Sequence, residues 1–368
     1  MSETWARIEH SQGGLSLTTM VGGTTLALRH ARTASRVGWA GLRFVIDNEH
    51  ERAAVQALFA LSPAPDRFLL EFVRSDAPAA RDHEVLLSGP AIYLRDTLSA
   101  LAPSSAPTPD FVLKETADAP KAEAFLFAQI RKSVELDGVI AYYVMRPLAR
   151  VFTRLLLNTS VSPNQATLSA LACGIGAAIC AGVGGAGLVA LAGILYWFGG
   201  VLDCIDGELA RMRLQSSKIG EWLDSMVDEF STIALILGLG IGLARDGYGD
   251  YWMLLAFVGC VVAIMTLGPM YADLHRRKLP IDTAQFPWFF GSASASTTSG
   301  PEGFLGKAVN FISYFIRRDA NITGTALLLI FNMRRVSLSI LLGAFVVASI
   351  LLITHYSVMK IRSRSAES

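Results

Sequence analysis

The strongest concentration of potential chemistry in this 368-residue chain is a set of four acids, Asp203, Asp206, Asp224 and Asp228. They lie in Asp203-Cys-Ile-Asp206-Gly207-Glu-Leu-Ala210-Arg211 and, eight residues later, in Gly220-Glu-Trp-Leu-Asp224-Ser-Met-Val-Asp228. On a helix, steps of three, four and seven return to the same side. Positions 203, 206, 207, 210 and 211 therefore share a face, and Asp224 and Asp228 lie one turn apart. Met212–Ile219 is polar and basic enough to be a short turn. Two antiparallel helices joined there would set two pairs of carboxylates opposite each other near a membrane surface. Each acid near lipid costs roughly 2.5–3.5 kcal/mol even on a lenient scale, so four need compensation. Divalent cations supply it: all-oxygen ligands suit Mg²⁺ or Mn²⁺, and such ions also bridge phosphate oxygens. Gly207 and Ala210 leave room for a ligand to approach the backbone, and Arg211 offers charge-assisted hydrogen bonds to phosphate. The bland alternative is four acids paired with nearby Lys and Arg; Gly, Ala and Arg in register weigh against it. A rival class, an acid-lined membrane transporter, would be expected to show internal repeats or broken helices, and neither is visible.

These acids must be positioned by membrane helices. Overall 52% of residues are hydrophobic and 17% charged, but long apolar runs begin only after about residue 160. Runs of about 20 apolar residues cross the hydrocarbon core as helices. Six spans are expected, near 165–185, 187–211, 220–244, 251–272, 319–334 and 337–359. Before them, Ala122–Leu157 carries helical periodicity, with Arg146, Arg150 and Arg154 on one face among apolar neighbours. That pattern predicts an amphipathic juxtamembrane helix at an anionic membrane surface. Lys and Arg concentrate in alternate connections, among them Arg276, Arg277, Lys278 and Lys360. The asymmetry predicts a multi-pass protein of the inner membrane with both termini and the acids on the cytoplasmic side. Leu279–Gly306 is expected to be a flexible cytoplasmic connection. Met1–Gly14 is polar and has no apolar signal-peptide region.

Residues 1–101 are predicted to form a small soluble α/β domain, with helices at Thr24–Ser35 and Glu49–Leu61. Strands are expected at Leu42–Ile46, Phe68–Val73 and Glu84–Leu87. Residues 102–119, rich in Pro, Ser, Ala and Thr, are expected to be a linker, and 120–368 the membrane domain. Cys173, Cys180, Cys204 and Cys260 lie in apolar segments without metal-type spacing and are taken as buried small hydrophobes. The six histidines are scattered, and aromatic residues near span ends suit interfacial belts. With a net charge of +1 and no basic stripe interleaved with aromatics, no nucleic-acid partner is expected.

The pattern DxxDGxxAR, eight residues, GxxxDxxxD resembles the signature of the CDP-alcohol phosphotransferase family at all eight of its positions. Ser162-Pro163-Asn164-Gln165-Ala166-Thr167 is similar to the Pro-Asn-x-x-Thr element that opens that family's first span. Gln215-Ser-Ser-Lys-Ile-Gly220 and Arg318-Asp319 resemble further family elements. Asp137-Gly138, Arg146-Pro147 and Thr153-Arg154 resemble the membrane part of bifunctional di-myo-inositol-phosphate-phosphate synthases. The resemblance covers about residues 120–360. It implies an all-α polytopic membrane domain that transfers a phosphoalcohol from a CDP-alcohol donor to a hydroxyl acceptor, releasing CMP. It further implies that Asp203, Asp206 and Asp224 bind two ions, Mg²⁺ or Mn²⁺. Asp228 would be the general base and a possible bridging ligand. Gly207, Ala210 and Arg211 would line the donor site, with Asn164, Thr167 and Ser217 as further binding residues. Glu229 and Thr232 stand where relatives often carry a basic residue and another acid, which leaves the acceptor open between a lipid and a polyol phosphate. The corresponding choice of function is phospholipid or related polar-lipid synthesis, or a synthase using CDP-inositol. Gly/Ala-rich spans permit the close packing of a homodimer. Gly23-Thr-Thr-Leu-Ala-Leu-Arg-His-Ala-Arg is similar to the first helix of a sugar-phosphate cytidylyltransferase. Its glycine-rich nucleotide loop is reduced to Gly13-Gly14, so the first domain is predicted to be a degenerate remnant; a divergent active transferase is the alternative.

Overall fold

Parallel strands order the first part of the chain. The computed structural model describes residues 4–9, 15–62, 68–76, 84–100, 107–277, 279, 286–287 and 318–367. The chain divides into two compact units. The first is Met1–Arg131 with Arg154–Ser160 and Glu208–Gln215; the second is Lys132–Thr153, Val161–Gly207 and Ser216–Ser368.

In the first unit the order is β1 (Trp5–Glu9), β2 (Met20–Val21), β3 (Thr24–Thr25), α1 (Leu26–Val37), β4 (Gly41–Val45) and α2 (Glu49–Leu61). Then follow β5 (Leu69–Val73), β6 (Glu84–Ser88), β7 (Ala91–Ile92), α3 (Arg95–Ser99), β8 (Phe111–Val112) and α4 (Ala119–Gln129). The main sheet has the order β5-β4-β1-β6, and every pairing is parallel. β4 is buried along its whole length, as expected of a strand covered on both faces. Its buried Arg43 is tolerated because Glu71 and Glu84 approach it at 2.8 and 3.0 Å. Helix starts follow local chemistry: Thr25 caps α1 by accepting from Leu28 N, and Asn48 caps α2 by accepting from His50 N and Glu51 N.

The two predicted helices and three predicted strands of this domain are all present. The central strand β1 was not anticipated, because it lies in the stretch read only as polar. The expected linker also needs revision: β8 falls inside 102–119 and pairs antiparallel with β7. The first unit therefore continues through Arg131 instead of ending at 101. The Gly13-Gly14 remnant and nearly all of Leu279–Gly306 lie outside the described residues.

The second unit is helical, continuing with α5 (Val134–Asp137), a π-helical turn at Ala141–Met145, and α6 (Arg146–Leu156). The predicted continuous amphipathic stretch is thus broken. Gly138 interrupts it with φ +92°, and a Cβ there would collide with the Asp319 carboxylate. α6 keeps the amphipathic character, with Val151 and Leu155 exposed. Arg146, however, is turned inward: it is buried and binds the Asp137 carboxylate through two nitrogens.

The apolar helices are α7 (Pro163–Val183), α8 (Ala186–Met212), α9 (Lys218–Arg245), α10 (Tyr251–Arg276) and α12 (Arg334–Glu367). Among the described residues these five are long and apolar enough to cross a membrane. The predicted fifth of six spans takes the form of α11 (Arg318–Ile330), which has 13 residues. At 1.5 Å per residue it covers about 20 Å, short of the roughly 30 Å hydrocarbon core. α7 and α9 pack backbone to backbone. Gly238 faces Ala178 and Gly242 faces Ala181 so closely that a Cβ on either glycine would strike the opposing carbonyl oxygen.

Candidate functional site

Three helices of the second unit bring the acids together. α8 supplies Asp203 and Asp206, and α9 supplies Asp224 and Asp228. α7 starts with a capping box in which Ser162 and Gln165 satisfy each other's backbone N–H, with Pro163 at the first helical position. One turn later, the buried Thr167 hydroxyl donates to Asp206 Oδ2 at 2.5 Å. α9 is capped by Ser217, whose hydroxyl accepts from Gly220 N at 3.0 Å. These caps fix where each helix begins, and therefore which residues of the following turns face inward.

Asp203, Asp206 and Asp224 each offer an oxygen within 4.8 Å of the others. Asp224 Oδ1 is buried with no hydrogen-bond partner among the described residues. An orphaned carboxylate oxygen beside two further carboxylates is an unfavourable arrangement without a cation. The donor set is entirely oxygen, which fits a hard divalent ion such as Mg²⁺ or Mn²⁺.

Asp228 stands outside this trio. It is ion-paired with Arg318 at the start of α11, and Arg318 Nη2 also lies 3.4 Å from Asp203 Oδ1. The neighbouring Asp319 anchors this arginine: its Oδ2 accepts from Ile140 N and Ala141 N at 3.0 and 3.2 Å. A counter-ion role for Arg318 was not legible in the sequence beyond its likeness to a family element, because 90 residues separate it from Asp228. Glu229 accepts a long hydrogen bond from Tyr271, at 3.4 Å.

The remaining predicted residues lie on the same helices or at their caps. Asn164 is exposed in the first turn of α7 and Ser217 is exposed at the cap of α9. Gly207 follows Asp206 on α8. Ala210 and Arg211 occupy the last turns of the same helix, in the segment belonging to the first unit. Arg213, just beyond, donates to the carbonyls of Leu156, Leu157 and Thr159 and so closes the end of α6. It was predicted only as a basic loop residue.

Residues 160–357 match the family described as CDP-alcohol phosphatidyltransferase, which is more than half of the chain. The bifunctional IPC transferase and DIPP synthase of Thermococcus kodakarensis is 33% identical over 153 residues, 39% of this chain and 34% of that protein. The protein of the same description from Aquifex aeolicus is 30% identical over 145 residues, 39% of this chain and 32% of the relative. An archaetidylinositol phosphate synthase of Pyrococcus horikoshii is 42% identical over 52 residues, 14% of this chain and 28% of the relative. The matched region thus spans about a third of the length of these curated relatives.

Proposed function

We propose, from the premise that the chain belongs to the CDP-alcohol phosphatidyltransferase family, that it transfers a phosphoalcohol group from a CDP-alcohol to a hydroxyl acceptor. The single observation that carries this reading is the cluster of Asp203, Asp206 and Asp224, with an orphaned buried carboxylate oxygen. These three side chains would hold the divalent ions, with Asp228 as a further ligand. When bound, the ions supply charge neutralisation for the diphosphate of the donor.

The chain's own residues then have distinct tasks. Thr167 holds the Asp206 carboxylate in one orientation. Gly207, Ala210 and Arg211 line the donor side, and Asn164 and Ser217 flank the entry from α7 and α9. Asp228 accepts the proton of the acceptor hydroxyl as that oxygen bonds to the phosphorus bearing the alcohol. The bond from that phosphorus to the CMP oxygen breaks, and CMP leaves with the electron pair. Arg318 positions Asp228 through their ion pair, because Asp319 fixes where the arginine starts its helix.

The membrane helices favour a lipid on one side of the reaction, and hence a step in phospholipid or related polar-lipid synthesis, with the acids facing the cytoplasm. A second reading, transfer from CDP-inositol, is favoured by the likeness to bifunctional IPC transferase and DIPP synthases. Purified protein would be given CDP-diacylglycerol or CDP-inositol with Mg²⁺ or Mn²⁺ and a panel of hydroxyl acceptors, and CMP release would be followed. Release that disappears in Asp228→Asn supports the transferase. Absence of release with every donor, alongside retained folding, would reject it. The donor that is consumed separates the two readings.

A further inference from the structure

The first unit contains a cavity of about 80 Å³ between α1, the segment following β7, α4 and residues of the 208–215 segment. Arg29 and Arg36 from α1, Tyr93, Arg95, Gln129 and Arg211 are among its lining residues, beside a larger apolar share from residues such as Ile92, Leu126 and Leu214, and no carboxylate among the described residues lines it. Four arginines among the lining of one small cavity are an arrangement that neither the sheet nor the helix packing requires.

Arg29 is 4% exposed. Its Nη2 donates to Val21 O at 2.9 Å and Met212 O at 2.7 Å, while its Nε is buried with no hydrogen-bond partner among the described residues. Burial, and then the neighbouring Arg32, lower its pKa to about 10, with Glu123 opposing. Arg36 is likewise lowered, by burial first and then by Arg95. The cations thus repel one another in a partly desolvated place. Tyr93 completes the donor set, because its hydroxyl oxygen accepts from Ser88 N at 2.9 Å and leaves its own proton to donate. Guanidinium forks and a hydroxyl donor match an anion with several oxygens, and the charge density favours a dianion over a carboxylate. The cavity is far smaller than the roughly 300–1,000 Å³ of a pocket for a drug-sized molecule. It suits one phosphoryl group, with any organic part projecting past the exposed Arg95 and Gln129.

We propose that this cavity is a binding site for a phosphate monoester, its phosphoryl group held by Arg29, Arg36, Arg95 and the Tyr93 hydroxyl. None of the four aspartates lines the cavity, and its chemistry needs no divalent ion. The same chemistry is offered by a soluble phosphate ester and by the headgroup of a phosphomonoester lipid.

The test uses the full chain in phosphatidylcholine nanodiscs, in EDTA, titrated calorimetrically with inorganic phosphate at constant ionic strength. Saturable binding is expected, weakened at least tenfold in Arg36→Gln/Arg95→Gln. Arg95→Gln alone, at an exposed side chain, is expected to weaken it several-fold and serves if the double variant does not fold. Replacing part of the phosphatidylcholine by phosphatidic acid distinguishes the sources. Loss of phosphate binding there assigns the site to a lipid headgroup, and retention assigns it to a soluble ester. No saturable binding, or binding of equal strength in a folded Arg95→Gln variant, would overturn the proposal.

Discussion

Gly238→Ala and Gly343→Ala are chemically identical substitutions in membrane helices, and the structure gives them opposite signs. At either site alanine gains up to about 1 kcal/mol of helix propensity over glycine. Apart from its own turn of helix, Gly343 has no atom of the described residues within 4 Å of where a Cβ would stand, so that gain should be kept. At Gly238 the new methyl would strike the Ala178 carbonyl oxygen and lie 2.9 and 3.0 Å from Ala178 C and Cα. Backbone atoms cannot rotate away as a side chain would, so α7 and α9 must separate. Overpacking typically costs about 1–3 kcal/mol, and a backbone obstacle belongs at the upper end. The net loss for Gly238→Ala is then about 1–2 kcal/mol, a fall in Tm of roughly 2–8 °C for a unit of this size. Thermal unfolding of both variants in the same detergent measures this. Because α7 carries Thr167 and α9 carries Asp224, Gly238→Ala should also weaken Mn²⁺ binding while Gly343→Ala leaves it unchanged. A Gly238→Ala protein as stable as wild type, with unaltered Mn²⁺ affinity, would refute the close α7–α9 approach.

Thr167→Val keeps the volume but removes the hydroxyl that donates to Asp206. Groups that orient metal ligands are typically worth about 10–100-fold in metal affinity, and Mn²⁺ titration by electron paramagnetic resonance should show a loss of that order. His30, buried against the Gly89 carbonyl, has its pKa lowered to about 4, mainly by burial. The unfolded chain therefore binds more protons below about pH 6.5, and stability should fall as pH drops towards 4 by up to about 1.4 kcal/mol per unit. Unfolding of the first unit, followed by Trp5 and Trp39 fluorescence, should show that slope in wild type and lose it in His30→Asn. Arg213→Met should destabilise by about 3 kcal/mol or more, since three carbonyls lose their donor at once, and denaturant unfolding of the purified protein would register it.

The sequence by itself located the acids, because their chemistry depends on local spacing: three- and four-residue steps put Asp203 with Asp206, and Asp224 with Asp228, on helix faces. Ser162 and Ser217, read from the sequence only as part of a family element and as a binding residue, cap α7 and α9 in the structure by accepting from N–H groups three residues away. Five long helices with apolar runs, and the alternation of helix and strand in the first unit, were legible for the same local reason. β1 was hidden because five residues including Arg7 and Glu9 carry little periodicity, and its place at the centre of the sheet comes from strands far along the chain. The predicted 319–334 span is met, among the described residues, by the 13-residue α11, and the predicted amphipathic stretch is broken, since periodicity does not set where a helix breaks. Asp319, for example, is fixed by backbone N–H groups of residues about 180 positions earlier. The likeness to the family already sets Asp228 apart from the other three aspartates; only the tertiary structure decided which cation it faces. Three face one another closely enough to share a cation, while Asp228 turns to Arg318. That division depends on a long-range ion pair, and ion pairs between distant segments leave no period in a sequence.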